Sequence, residues 1–291
     1  MKDLMTPRED TWGFMRLQNC ILYVAQYIHE FCGKYGISYC LMGGSALGAV
    51  RHKGFIPWDD DLDIFMTPDN FERFRDLFLE KGNTKDFYLQ QKQVNGLVST
   101  AKLRYNHSTY IEAAEIGKDV HKGVFVDIFI LHTCPDNKLK RNWQYFWAKY
   151  IVTKGLADRG NKKPGVVGFA MDCLRLLPHS AMIGYALKQL YRFRNEDSEY
   201  LCHFMGHANM KNALYKRKYF KYSKVVPFEQ THLLVPEYVE DYLRDRWGDY
   251  MKVPPMEEIK KCQHSTDWSD TKTFEGYRED GCYKDEGLLF P

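Results

Sequence analysis

Four aspartates, Asp59, Asp60, Asp61 and Asp63, fall within five positions, directly before an apolar run. Two carboxylates roughly 4 Å apart repel by about 4 kcal/mol at an effective dielectric of about 20. Such a cluster calls for a cation. Leu62 to Met66 is rich in β-branched and aromatic residues and is ended by Thr67-Pro68, which reads as a strand. Asp63 sits inside it, where an unpaired carboxylate is costly. Residues two apart on a strand share a face, so Asp61 and Asp63 can serve one metal site. Asp59 and Asp60 precede the strand and are left to shape the turn or support the ligands. A solvated acidic loop is the plain alternative, and the apolar neighbours of Asp63 weigh against it.

Other residues suited to phosphate and metal chemistry surround this run. Ile37 to Met42 is a short apolar stretch, and Gly43-Gly44-Ser45 breaks it before a helix through Val50. A strand, a glycine turn and a helix start expose backbone N–H groups that suit a phosphate; a tight turn with no ligand is the competing reading. Arg51 follows at once. Alternation along Val98 to Arg104 puts Lys102 and Arg104 on one face, as a phosphate clamp or as a solvated cationic surface. Gly123 to Leu131 is the most strand-like segment of the chain and carries one charge, Asp127, in its middle. A lone aspartate there is either paired, with an arginine for instance, or functional. With a metal site already indicated, a third ligand is the economical reading.

The elements that must position these groups are partly legible. Leu17, Ile21, Val24, Ile28 and Phe31 give helical spacing over 11–34, stopped near Gly33 and Gly36. Thr67 and Pro68 can cap a helix whose buried face is Phe71, Phe74, Leu77 and Phe78, up to Gly82. Phe87 to Ile111 looks extended. Between Lys138 and Arg194 basic residues far outnumber acidic ones and alternate with Trp143, Tyr145, Phe146 and Trp147. Pro164, Gly165 and Pro178 divide this stretch into helices. It suits an anionic membrane surface or an anionic acceptor, or is a helical subdomain with solvated cations. Cys202-His203 with His207, and Cys262 with His264, do not match the usual zinc spacings. Tyr219 to Phe228 reads as a strand, a helix is expected from Val235-Pro236-Glu237 to Trp247, and 265–291 as an irregular polar tail.

At 291 residues the chain can bury about three quarters of its unfolded surface. A net charge of +3 gives no global case for nucleic acid, and none is expected as a partner. The eight cysteines show no C-x-x-C pairing and Met1-Lys2-Asp3 opens no apolar signal. The expectation is a reducing, cytoplasmic compartment. Apolar runs fall short of the roughly 20 residues of a membrane-spanning helix, so any membrane role is peripheral, at the inner face.

Gly43-Gly44-Ser45 with GAVRHKGFIPWDDDLDI, the KLR at 102–104, GVFVDIF around Asp127 and the late PFE, VPEYVEDYL, WGDYM and PP resemble the LicD family of phosphocholine transferases, itself similar to the fukutin-type phosphoribitol transferases. The resemblance covers residues 15–131 and 219–262 and implies an α+β fold: a nucleotidyltransferase-like mixed β-sheet flanked by helices, with a helical basic middle. Its expected division is a catalytic core over 1–136 and 219–264, the basic region over 137–218 and the tail. It implies metal ligation and catalysis by Asp61, Asp63 and Asp127, with Mg²⁺ or Mn²⁺, and phosphate contacts from Gly43, Gly44, Ser45 and Arg51, to which Lys102 and Arg104 are added from their strand. The implied donor is CDP-choline or another CDP-alcohol, and the acceptor a glycan or lipid-linked glycan of teichoic acid or lipopolysaccharide type. A choline head would need aromatic faces, for which Trp58, Tyr105, Tyr110 and Trp143 are candidates. Alternatives are a phosphoribitol or phosphoglycerol transferase, a nucleotidyltransferase that hands over the NMP half, and a silent glycan- or nucleotide-binding module.

Overall fold

The structure is a computed structural model that describes residues 1–91, 100–158, 165–176, 179–206, 208–259 and 263–279. Helix α1 (Met15–Tyr35) ends at Gly36, whose left-handed φ of 61° lets the chain turn sharply. After β1 (Cys40–Leu41), α2 (Gly43–Arg51) and β2 (Asp63–Met66) comes α3 (Pro68–Lys81), with the Thr67 hydroxyl capping it at Asn70. Strands β3 (Phe87–Gln90), β4 (Thr100–Tyr105), β5 (Thr109–Glu112), β6 (Phe125–Ile130) and β7 (His132–Cys134) follow. The basic stretch forms α4 (Lys138–Asp158), α5 (Gly165–Arg175) and α6 (His179–Tyr191). Then come β8 (Tyr200–Cys202), β9 (Leu214–Lys216), β10 (Ser223–Phe228), β11 (Thr231–Pro236), α7 (Val239–Trp247), α8 (Met256–Ile259) and β12 (Ser265–Ser269). Val98 and Ser99, His207, Cys262, Pro164 and Pro178, which entered the sequence reading, lie outside the described residues.

The fold is the expected α+β type, with a central mixed sheet in the order β1-β2-β6-β4-β3. Only β2 and β6 in it are parallel. Alternation divides the sheet into two faces. Ile64, Val126, Ile128, Leu103 and Phe87 share the face covered by α1, where Tyr23 and Tyr27 stack on Phe87. Asp63, Asp127, Lys102 and Arg104 share the other. A register slip of one residue on β2 would send Asp63 into the apolar core, so the core pattern itself fixes the polar row.

Two expectations are corrected near the C-terminus. The start of the "tail" is a strand: β12 pairs antiparallel with β5, Trp268 opposite Tyr110. Val235-Pro236 ends strand β11, hairpin partner of β10, and the helix begins only at Val239. The basic region also spends its cations internally. Lys149 donates to the Gly206 and Ala208 carbonyls, Lys154 to Asp158, Lys140 to Glu196, and Arg194 clamps Asp69 and Glu72 of α3. Much of the charge that looked like a solvent-facing surface is cross-bracing. Among the described residues no helix is long and apolar enough to cross a membrane.

Candidate active site

The register of the sheet builds the polar row. Asp63 on β2 stands beside Asp127 on β6, and Lys102 on β4 stands beside Asp127 from the other side. Neighbouring strands are about 4.8 Å apart, so these groups interact directly. The Lys102 ammonium is 3.2 Å from Asp127 Oδ2 and 3.2 Å from Glu112 Oε2, and it lies 3.3 Å from the centre of the Phe125 ring. Its side chain is only 3% exposed. Burial alone would push its pKa down, but Asp127 and Glu112 raise it above its ordinary value. Asp127 Oδ1 is buried with no hydrogen-bond partner among the described residues.

The carboxylates strain against one another. Burial raises Asp63 well above the usual carboxylate range, and the charges of Asp61 and Asp127 add to it. Asp61 is lifted by burial to about 6, with His264 holding it down. Asp127 is raised by burial and eased by Lys102. These three carboxyl groups and Lys102 are therefore one electrostatic unit. Among the described residues, no three His, Cys, Asp or Glu side chains already stand gathered as metal ligands.

The glycine turn is locked to this row. Gly43 opens α2 at a φ of 53°, a conformation that only glycine takes freely, and its N–H donates to the Tyr242 hydroxyl at 3.0 Å. Ser45 Oγ accepts the Asp63 N–H at 2.8 Å, which ties the helix start to the first residue of β2. At Gly44 an added Cβ would come to 3.0 Å from Asp59 Oδ2, a tight contact that puts this backbone directly against the Asp59 side chain. Asp59 is raised to about 8, first by burial and then by Asp61 and Asp60. Arg51, at the end of α2, donates to the carbonyls of Tyr250 and Lys252 and lies 5.9 Å from the Trp58 ring. Gly44, Arg51, Trp58 and Asp59 line a cleft of about 420 Å³, closed on its far side by Trp247, Asp249, Tyr250 and Glu258.

Asp60 has a different task from its neighbours. It is fully buried and accepts the His264 N–H at 2.9 Å, the Ser265 N–H at 2.8 Å and the Ser265 hydroxyl at 2.8 Å. It thereby anchors the entry to β12 and sets His264, whose Nε2 is 3.4 Å from Asp61 Oδ2. The sequence reading passed over His264 because it looked for zinc spacing. The alternating Ser265-Thr266-Asp267-Trp268-Ser269 behind it was the available signal for a strand. Glu112, the second carboxylate on Lys102, was also missed.

Arg104 does not join the site as a phosphate clamp. It is wholly buried and donates to Gln90 at 2.6 Å, to the Gly123 carbonyl at 2.9 Å and to Glu115 at 2.5 Å. A guanidinium that is wholly buried, with each of its three nitrogens bonded inside the fold, presents no edge to a ligand. The aromatic candidates separate as well. Trp58 lies in the cleft. Tyr105 is on the α1 side of the sheet, against Tyr23 and Phe87. Tyr110 is buried edge-on to Phe125, its hydroxyl without a partner among the described residues. Trp143 belongs to α4, where it donates to Gln189 and stacks on Phe146.

Comparison with known proteins bears on this arrangement. Residues 36–155 match the family model described as LicD/FKTN/FKRP, nucleotidyltransferase domain. The chain is 29% identical over 253 residues to the lipopolysaccharide cholinephosphotransferase LicD of Haemophilus influenzae, covering 82% of this chain and 91% of that one. An uncharacterized protein of Rickettsia prowazekii is 28% identical over 124 residues, 42% of each chain. The human ribitol 5-phosphate transferase FKRP is 38% identical over 56 residues, 19% of this chain and 11% of that one. The span matched to the LicD/FKTN/FKRP nucleotidyltransferase domain holds the glycine turn, the aspartate run, Lys102 and Asp127, so the likeness falls on the residues of this centre.

Proposed function

We propose that this protein transfers a phosphoalcohol, phosphocholine from CDP-choline, onto a hydroxyl of a cell-surface glycan of lipopolysaccharide or teichoic acid type, with release of CMP. The observation that carries the reading is the pairing of Asp63 with Asp127 beside the Gly43-Gly44-Ser45 turn, with the charge of Asp61 pressing on Asp63. The likeness to a lipopolysaccharide cholinephosphotransferase along 82% of the chain supports the choice of chemistry. A cytoplasmic location, at most peripheral to the inner membrane face, suits a nucleotide-linked donor.

The donor chemistry suits a divalent metal, for which the carboxylates would have to draw together from their present positions. Asp127 Oδ1 is a buried acceptor without a donor among the described residues, and carboxylate oxygens are the ligands that Mg²⁺ or Mn²⁺ prefers. Asp61, Asp63 and Asp127 would hold the metal, which when bound neutralises the pyrophosphate of the donor. The N–H groups at the start of α2 have no intrahelical partner, and with Gly43 taken by Tyr242, those of Gly44 and Ser45 remain to meet phosphate oxygens. Lys102 has two carboxylates to choose from and can stay with Glu112 when Asp127 is engaged elsewhere. Arg51 adds positive charge at the mouth of the cleft. Asp127, fixed in direction by β6, takes the proton of the acceptor hydroxyl as its oxygen bonds to the phosphocholine phosphorus and the bond to CMP breaks.

The test is CDP-choline labelled either in choline or in cytidine, incubated with Mg²⁺ and a glycan acceptor. Choline label on the glycan with free CMP supports the reading; cytidine label on the glycan means transfer of the nucleotide half. The match to human ribitol 5-phosphate transferase favours a second donor, CDP-ribitol. A screen of CDP-choline, CDP-ribitol, CDP-glycerol and CDP-ethanolamine separates the two.

A further inference from the structure

The cleft beside the glycine turn has a composition that a phosphate site does not need. Its walls bring the rings of Trp58, Trp247 and Tyr250 together with the carboxylates of Asp59, Asp249 and Glu258. Trp247 closes α7 and is 42% exposed, which core packing does not call for. Tyr250 is placed by Arg51, whose guanidinium takes the Tyr250 carbonyl at 3.0 Å and so binds the 250–252 backbone to α2. The same guanidinium lies 5.9 Å from the Trp58 ring and that of Arg246 lies 4.9 Å from the Trp247 ring, so two rings of this cleft already take part in cation–π contacts.

The charges sort the possible occupants. Arg51 and Lys252 are the cations of the lining, against Asp249 and Glu258 and a third acid, Asp59, that burial keeps largely protonated at neutral pH, and Arg51 is held by backbone carbonyls. A pyrophosphate would meet those acids unfavourably. A quaternary ammonium has no N–H to donate and is held by aromatic faces and diffuse negative charge, the two things this cleft offers. At about 420 Å³ the space is within the range of small-molecule sites. It opens at Gly44 and Asp59, next to the turn where a donor's phosphates would sit.

We propose that this cleft seats the alkylammonium end of the donor, with Trp58, Trp247 and Tyr250 as the ring faces and Asp249 as the distant counter-charge. The assignment rests on the transferase reading above and extends it, since it makes the cleft the element that chooses among CDP-alcohols. It also replaces three of the four aromatic residues expected from the sequence, keeping Trp58 alone.

The test is calorimetric binding of CDP-choline, CDP-glycerol and CMP to the full chain and to its Trp247→Leu variant, with CMP release followed in parallel. Trp247 is exposed enough that the leucine variant keeps the fold, which circular dichroism checks. The expected result is that the parent binds CDP-choline at least about fivefold tighter than CDP-glycerol, and that Trp247→Leu weakens CDP-choline alone by about three- to tenfold. An equal loss for all three ligands would make the cleft a cytidine site and overturn the proposal, as would no loss for any. If the parent binds CDP-glycerol as well as CDP-choline and releases CMP from both, the subsite falls and the transferase reading survives. If no CDP-alcohol binds or reacts, the transferase reading fails and takes the subsite with it.

Discussion

The substitution Asp61→Asn separates the cost of the carboxylate cluster from its use. In the folded chain Asp61 is lifted to about 6, chiefly by burial, against an ordinary value near 4. A shift of roughly two units corresponds to about 3 kcal/mol. The side chain keeps 27% of its surface open to solvent, which screens the charge and scales the cost to about 1–2 kcal/mol. The sign follows from proton linkage. Between about pH 4 and pH 6 the folded state holds the proton that the unfolded state has lost, so stability falls as pH rises through that window and is flat above it. Asparagine carries no such penalty. With divalent ions removed by EDTA, Asp61→Asn should be about 1–2 kcal/mol more stable than the parent near pH 7.5, and the difference should vanish near pH 4. Urea unfolding followed by tryptophan fluorescence measures it. With Mg²⁺ and donor present, the same variant should lose transfer by at least about 100-fold. A variant that is less stable at neutral pH, or that transfers at the parent rate, would refute the cluster as a charge-strained metal site.

Three further outcomes are expected. Lys102→Met removes the cation shared by Asp127 and Glu112 and should cost about 3–5 kcal/mol in urea unfolding, since it leaves the Asp127 carboxylate unpaired while Glu112 keeps Arg104 at 3.9 Å. Arg104→Ala should destabilise by several kcal/mol while the donor KM of the folded fraction stays at the parent value; a selective rise in KM would restore it to the phosphate site. Asp60→Asn weakens the anchor on His264 and Ser265, so amide exchange at Ser265 should accelerate by at least about tenfold, and unchanged exchange would show that β12 is held by its pairing with β5 alone.

The sequence showed the components of the centre more readily than their connections. Asp63 and Asp127 were legible because each interrupts an apolar strand, and a charge in such a place needs a reason. That they lie side by side depends on the parallel pairing of β2 with β6, a contact between segments more than sixty residues apart that no local pattern records. Arg104 shows the opposite failure. Alternation placed it beside Lys102 correctly, but its partners Gln90, Gly123 and Glu115 come from three other segments, and only the fold reveals that they hold all three of its nitrogens in the interior. The basic middle region misled for the same reason: charge counts see cations, not the carbonyls and carboxylates that meet them.

By position the aspartate run divides into two ligands preceded by two helpers, yet extended chain alternates sides. Asp59, Asp61 and Asp63 should then share one side and Asp60 and Leu62 the other. The structure follows this division: Asp60 turns to β12, Leu62 is fully buried, and Asp59 and Asp61 are among the charges that press on Asp63. Asp59 therefore belongs with the site carboxylates, and titration can show it. Its carboxyl is lifted to about 8, compared with about 6 for Asp61. A raised folded value means that the penalty grows with pH from about 4 up to that value and then stops. In EDTA, the stability gained by Asp59→Asn over the parent should keep rising between about pH 6 and pH 8, at up to about 1.4 kcal/mol per unit less the screening of its open edge, where the gain from Asp61→Asn is already flat. Two parallel curves that level off together would return Asp59 to the role of a turn residue.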